Sequence, residues 1–380
     1  MIVGIDASRA VSPHPTGTEM YSRRLIQALL SLGSGYHFRL YFRSAPAPDL
    51  FPGAELRVIP FPRLWTHLRL SWEMARRPPD LLFVPAHVLP PIRPPRTLVT
   101  VHDLGYLYFP RAHPLLQRLY LDLSTRWNAR VATRVLADSE ATKADLVARY
   151  GTPAAKVTVA YPGYDERLAP VRDPSAIAAV KTRYGIEGNY FLYLGTLQPR
   201  KNLARLIDAF ARLRPEAARP AIYLVLAGRP GWLYRDLFGR VRRYGLEDRV
   251  LFLGYVPEAD KPALLSGALA LVFPSLYEGF GLPVLEAQAC GCPVICSTAA
   301  SLPEVAGGGA LLVDPYDVEG WAEAMARLAE DPGLRADLVE RGFVNLRRFS
   351  WHQCARTVLS VIDALSGHPV SPLDQSPGKG

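Results

Sequence analysis

Two glutamates eight residues apart bracket a glycine turn in the stretch Pro274 to Cys296, which reads PSLYEGFGLPVLEAQACGCPVIC. Glu278 precedes Gly279, Phe280 and Gly281; Glu286 follows Leu282 and Pro283. A glycine turn that enters a helix presents free backbone N–H groups at the positive end of the helix dipole, which favours an anion such as phosphate. Taken alone, Glu286 reads equally well as a first-turn carboxylate and Glu278 as a solvated loop charge. A second charged pair, Arg200-Lys201, lies in GTLQPRKNLARLIDAF, just ahead of a helical pattern. Two cations at a helix N-terminus are locally unfavourable, and an anion bound beside them would explain the pair. A third candidate is His102-Asp103, which ends the apolar run TLVTVHDL. Polar residues that terminate a strand of an α/β sheet stand where such sheets bind ligands.

The elements that must position these residues alternate. In the N-terminal half, strands are predicted at 2–6, 37–42, 56–60, 81–85, 97–102, 135–137 and 157–161, with helices from Glu19, over 113–133 and over 141–150. In the C-terminal half, strands are predicted at 190–195, 222–228, 250–254, 269–273, 293–296 and 311–314. Proline at the first helical position and Gly291 past the last bound a short helix after the glycine turn, which places Glu286 in its first turn. Asn202 reads as the N-cap of a 203–210 helix, and Ser139 as that of the 141–150 helix. Glu304 reads as a helix start. Final helices cover 318–329, 333–347 and 350–365. Alternating strands and helices argue for parallel sheets covered on both faces. The expected domains are 1–164 with a returning helix at 351–366, a linker at 165–189, a second domain at 190–350 and a disordered tail at 367–380.

Composition narrows the class. A chain of 380 residues, about half of them hydrophobic, has room for two domains. Its net charge of +9, carried mostly by arginine, suggests acidic partners such as nucleotide phosphates or anionic lipid. No basic run with interleaved aromatics marks a nucleic-acid surface. Four cysteines sit mainly in apolar segments without metal-ligand spacing, so they read as buried hydrophobes in a reducing compartment. The N-terminus lacks a signal-peptide pattern, and no apolar run reaches membrane-spanning length. The expected location is therefore the cytoplasm. The segment 61–77 mixes Trp65, Leu68, Leu70, Trp72 and Met74 with four arginines. It reads as an amphipathic helix packed on its own domain or, less commonly, as a membrane-surface helix at the inner face.

The run EGFGLPVLE resembles the E-x7-E signature of the retaining glycosyltransferases of family 4, which have the GT-B fold: two Rossmann-like domains facing across a cleft. GTLQPRKN and the strand-end His102 fit the same family. The resemblance implies a nucleoside diphosphate sugar bound to the second domain and a glycan or lipid-linked acceptor on the first. Glu286 would hold the ribose, Glu278 the transferred sugar, and Arg200 and Lys201 the pyrophosphate. Gly254, Tyr255 and Val256 would lie beside the base, the Gly17-Thr18 loop near the diphosphate, and His102 near the donor sugar with Asp103 orienting it. The family's same-face substitution needs no protein nucleophile, and no DxD metal motif is present. No cofactor beyond the GDP- or UDP-linked donor is implied. Overall resemblance to bacterial mannosyltransferases favours mannose over glucose. A GT-B epimerase and an inactive sugar-nucleotide-binding protein remain alternatives.

Overall fold

The computed structural model describes residues 1–12, 17–86, 88–110, 114–213, 221–231 and 234–367. The prolines predicted in the first loop, Pro13 and Pro15, and the tail from His368 lie outside the described residues. Two compact units form. One contains Met1–Asp103, Leu116–Gly163 and Trp351–Gly380, the other Leu104–Leu115 and Tyr164–Ser350. The sequence expectation placed 104–115 in the first domain and treated 165–189, with a short helix ending at Gly185, as a linker. In the structure both stretches group with the second unit, and the expected short helix is Pro174–Arg183.

The first unit is built on seven parallel strands: β1 (Ile2–Asp6), β2 (His37–Phe42), β3 (Glu55–Val58), β4 (Leu81–Val84), β5 (Arg96–Val101), β6 (Arg134–Ala137) and β7 (Val157–Val159), in spatial order β3-β2-β1-β4-β5-β6-β7. Every residue of the central strand β4 is buried, as expected of a parallel strand covered on both faces. The Gly17–Ser31 helix lays Tyr21, Leu25, Ile26 and Leu29 onto the sheet, and the last helix, Trp351–Ser366, adds Val358, Leu359 and Ile362 to the same core. Burial of each such side chain contributes about 1.5–3 kcal/mol. Tyr36 donates its hydroxyl hydrogen to Asp363, tying the loop before β2 to that helix.

The second unit has six parallel strands: β8 (Asn189–Leu194), β9 (Ile222–Ala227), β10 (Val250–Gly254), β11 (Ala270–Phe273), β12 (Val294–Ser297) and β13 (Leu311–Val313), in order β10-β9-β8-β11-β12-β13. Both units thus follow the Rossmann order 3-2-1-4-5-6, extended by one strand in the first. In such sheets ligands sit beyond the carboxyl ends of the strands where the order reverses. That point lies between β1 and β4 in the first unit and between β8 and β11 in the second. All four cysteines are free and buried, and burial pushes the Cys290 and Cys296 thiols up to about 12.

Asp6 ends β1 at the first reversal. It is buried, accepts the Ser8 N–H at 3.0 Å, and leaves Oδ2 without a partner. Burial raises its pKa to about 6, against the lowering effects of Ser8 and Arg9. The folded state therefore binds this proton more tightly than the unfolded chain does. The group's contribution is most favourable below its unfolded value near 3.8 and is lost as pH rises through about 6. A shift of that size corresponds to about 3 kcal/mol. Asp6→Asn keeps an acceptor for Ser8 and removes the buried charge. We expect a higher urea midpoint for the variant at pH 7.5 and a gain that shrinks towards zero at pH 4. Equal destabilisation at both pH values would contradict this.

Candidate active site

The loops leaving β8 and β11 meet at the reversal point of the second sheet. Pro199–Lys201 forms a single tight turn after β8, and Pro274 to Gly281 follows β11. The Leu276 N–H donates to the Arg200 carbonyl at 2.9 Å. Asn202 fastens the same loops: its side-chain amide donates to the Pro274 carbonyl at 3.2 Å and to the Pro315 carbonyl at 2.6 Å. This corrects its expected role. Asn202 occupies the residue before the Leu203–Arg212 helix but makes no side-chain cap. It takes a left-handed conformation, φ 60°, which asparagine tolerates better than most residues, and its amide goes to the two carbonyls instead.

Those loops bring together Arg200, Lys201 and Glu278. Glu278 is buried at 8% exposure, and Lys201 Nζ donates to its Oε1. Arg200 Nη1 donates to the Tyr277 carbonyl at 3.2 Å and stands 3.9 Å from Glu278 Oε2. Burial alone would raise the Glu278 carboxyl, but the charges of Lys201 and Arg200 outweigh it and hold the group below the ordinary carboxylate value. The two cations ahead of the helix are therefore balanced by a carboxylate from the neighbouring loop.

The turn between the glutamates is fixed by Ser301, whose hydroxyl is placed to donate to the carbonyls of Glu278, at 2.9 Å, and Phe280, at 2.7 Å. The Phe280 ring meets Phe349 edge-on at 5.7 Å. Gly281, at φ 119°, precedes the Leu282–Ala289 helix, and Pro283 lies in its first turn. Because the helix begins at Leu282, Glu286 is its fifth residue and falls outside the first turn, contrary to expectation. A first-turn dipole role is thereby excluded. Glu286 instead faces Lys261, whose Nζ lies 3.4 Å from Oε2 and 2.9 Å from the Glu258 carboxylate. Burial raises the Glu286 carboxyl above its usual value; Lys261, shared with Glu258, offsets this only in part.

Gly254 closes β10 in a positive-φ conformation, and its carbonyl accepts the Gly228 N–H at 2.7 Å. Tyr255 is exposed beneath the Arg229 guanidinium, 4.9 Å from the ring centre, while Val256 is buried. Gly17, Thr18 and His102 belong to the first unit. Gly17 opens the Gly17–Ser31 helix, with no atom of the described residues within 4 Å of where its side chain would begin, and the Thr18 carbonyl accepts the Ser22 hydroxyl at 3.0 Å. The His102 ring is engaged at both nitrogens, Nδ1 with Asp138 Oδ2 at 2.6 Å and Nε2 with the Pro85 carbonyl at 2.9 Å. Burial lowers its pKa, but Asp138 more than offsets this and the net shift is upward. The orienting carboxylate is thus Asp138, where Asp103 was expected. Val101 of β5 pairs with Ala137 of β6, so the residues that follow them stand side by side.

The chain matches the model for glycosyl transferases group 1 over residues 180–344 and that for glycosyltransferase family 4 over residues 15–168. It is 32% identical over 304 residues to the O-antigen chain mannosyltransferase B of Escherichia coli, covering 80% of this chain and 79% of that protein. The chain belongs to glycosyltransferase family 4. It is also 31% identical to mannosylfructose-phosphate synthase of Agrobacterium fabrum over 59% of its length, spanning about half of that relative. Anabaena HepE in complex with UDP and glucose superposes with a TM-score of 0.73 at 20% identity, covering 96% of this chain and 99% of that one, which establishes the shared GT-B fold.

In this family 4 glycosyltransferase, sequence reasoning missed Lys261. The signal was available: Lys261 opens the Lys261–Ser266 helix, the same cation-at-N-terminus misfit that singled out Arg200 and Lys201. Among the described residues, no group of three or more His, Cys, Asp or Glu side chains is placed to hold a metal ion, and no helix is long and apolar enough to cross a membrane.

A methyl group on Gly281 would lie 2.7 Å from Leu302 Cδ2, at a φ that side chains rarely adopt. Gly281→Ala should therefore lower stability by about 1–3 kcal/mol, measured as a loss in the urea midpoint; an unchanged midpoint would show that the turn is not strained.

Proposed function

We propose that this glycosyltransferase moves a hexose, mannose in preference to glucose, from a nucleoside diphosphate sugar to a glycan or lipid-linked acceptor with retention of anomeric configuration. The observation that carries the donor assignment is the buried Glu278 set between Arg200 and Lys201 at the reversal point of the second sheet. A lysine ammonium has three donors, so Lys201 can hold Glu278 and still offer a hydrogen to a phosphate oxygen. The diphosphate lies against Arg200, Lys201 and the backbone around Gly279 and Gly281. Glu286, steadied by Lys261, accepts hydrogen bonds from the ribose hydroxyls. Glu278 accepts from the sugar being transferred, and the base lies beside Gly254, Tyr255 and Val256.

As the bond from the anomeric carbon to the diphosphate oxygen breaks, the acceptor hydroxyl oxygen bonds to the same face of that carbon. Its proton passes to the departing oxygen. Negative charge grows on the diphosphate, where Arg200 and Lys201 stabilise it without reorganisation. No protein nucleophile takes part. Both nitrogens of His102 are already committed within the first unit, so we assign its ring to holding strand ends rather than to proton transfer. The preference for mannose is supported by the mannosyltransferases among the relatives.

Nucleotide release across GDP-mannose, UDP-glucose and UDP-N-acetylglucosamine tests the reading. Turnover should be highest with GDP-mannose, and failure to turn over or bind any nucleotide sugar would end it. Glu286 needs its charge to accept both ribose hydroxyls, and its pKa lies above the ordinary 4.5. Donor affinity should therefore weaken as pH falls from 8 towards that raised value. Glu286→Gln should lose about tenfold in donor affinity at pH 8 and lose the pH dependence with it. A variant that keeps the wild-type pH profile would remove Glu286 from the ribose site.

A further inference from the structure

The loops that leave β8, β9 and β10 are stitched together at their backbones. The Leu197 N–H donates to the Arg229 carbonyl at 3.0 Å, the Gly231 N–H to the Leu197 carbonyl at 2.9 Å, and the Gly228 N–H to the Gly254 carbonyl at 2.7 Å. At Gly228 the approach is closer than a side chain allows: a Cβ there would lie 1.8 Å from the Gly195 carbonyl oxygen. Because β9 lies between β8 and β10 in the sheet, Arg229 leaves it from a fixed point. On one side is the loop that carries Arg200 and Lys201; on the other is the turn from Gly254 to Val256.

The Arg229 guanidinium lies over the Tyr255 ring, 4.9 Å from its centre. Stacking occupies the face of a guanidinium and leaves its in-plane N–H donors available. Among the described residues, no hydrogen-bond or ion-pair partner takes them up. Other arginines of the unit are engaged. Arg240 donates to the Asp208 carboxylate at 2.6 Å, and Arg249 to the Ile222 carbonyl at 3.1 Å. Tyr255 is 56% exposed, so the stacked pair is open to a flat ligand and carries an unused fork of donors. It stands at the carboxyl ends of β9 and β10, on the side of the sheet where ligands bind.

We infer that Arg229 reads the nucleobase of the donor and selects guanine. The inference rests on the donor reading above, which sets the base beside Gly254, Tyr255 and Val256. Guanine carries two adjacent acceptors, O6 and N7, and one guanidinium fork satisfies both. Adenine keeps N7 but presents an amino donor in place of O6, which opposes one arm of the fork. Uracil has no such pair: its O4 is flanked by the N3–H donor on one side and a carbon-bound hydrogen on the other. Bases stack on tyrosine rings and on guanidinium planes alike, so the Tyr255 platform tolerates any base while the Arg229 edge discriminates.

The test is calorimetric titration of the full chain with GDP, IDP, 7-deaza-GDP and UDP. IDP keeps O6 and N7; 7-deaza-GDP lacks the N7 acceptor. The wild type should bind GDP and IDP about tenfold more tightly than UDP, as one bidentate pair allows, with 7-deaza-GDP falling most of the way to UDP. Arg229→Leu, a change at an exposed side chain, should bring GDP and IDP down to the UDP level and leave UDP affinity unchanged. The UDP arm also reports that the variant is folded and separates base reading from general attraction of the diphosphate. A wild type that binds UDP as tightly as GDP, IDP binding as weak as UDP, a variant that keeps the preference, or one that loses GDP and UDP equally would each overturn the role of Arg229 while leaving the diphosphate site standing. A wild type that binds none of the four would end the donor reading with it.

Discussion

A buried carboxylate has to be answered by nearby cations, and Glu278 sets that requirement at the centre of the second unit. Lys201 and Arg200 answer it from a loop more than seventy residues earlier in the chain. They can do so only because β8 and β11 are neighbours in the sheet, with Leu271 registered against Leu192. The backbone bond from Leu276 to Arg200 and the Asn202 amide hold the loops at that separation. Gly281 then lets the chain turn sharply enough to begin a helix directly behind the pair. The strand order, the left-handed Asn202 and the glycine turn all serve one electrostatic arrangement. That arrangement is also what a developing diphosphate charge requires.

The same logic separates the two carboxylates. Glu278 is answered by two cations and stays below the usual carboxylate range; Glu286 shares one lysine with Glu258 and rises above it. Two identical side chains eight residues apart thus differ in how readily they give up charge. The helix geometry that puts Glu286 one turn past Gly281, rather than in the first turn, is what carries it to Lys261.

Much of this was readable in the sequence. Apolar runs located all thirteen strands of the described residues within about two residues, because buried parallel strands are nearly continuous in hydrophobicity. Ser139 caps its helix as its residue type predicts, accepting the Thr142 N–H at 3.0 Å. Where expectation failed, the determinant was non-local. Asn202 has the chemistry of a cap, yet carbonyls supplied by distant loops claim its amide. Asp103 adjoins His102 in sequence, while Asp138 adjoins it through strand pairing. The 61–77 segment has the amphipathic character seen in its sequence, but the exposed leucines of the Leu115–Val131 helix, Leu116, Leu119 and Leu123, gave no such signal. Periodicity shows that a helix has an apolar face and does not show which way that face points.

The central claim is that Arg200 and Lys201 together form the diphosphate seat. Calorimetric titration of a nucleoside diphosphate and of the corresponding free nucleoside into wild type and Arg200→Ala tests it most directly, because only the former carries the charge. The account predicts at least a tenfold loss of diphosphate affinity in the variant with nucleoside affinity unchanged. Equal affinity of the two proteins for the diphosphate would contradict it.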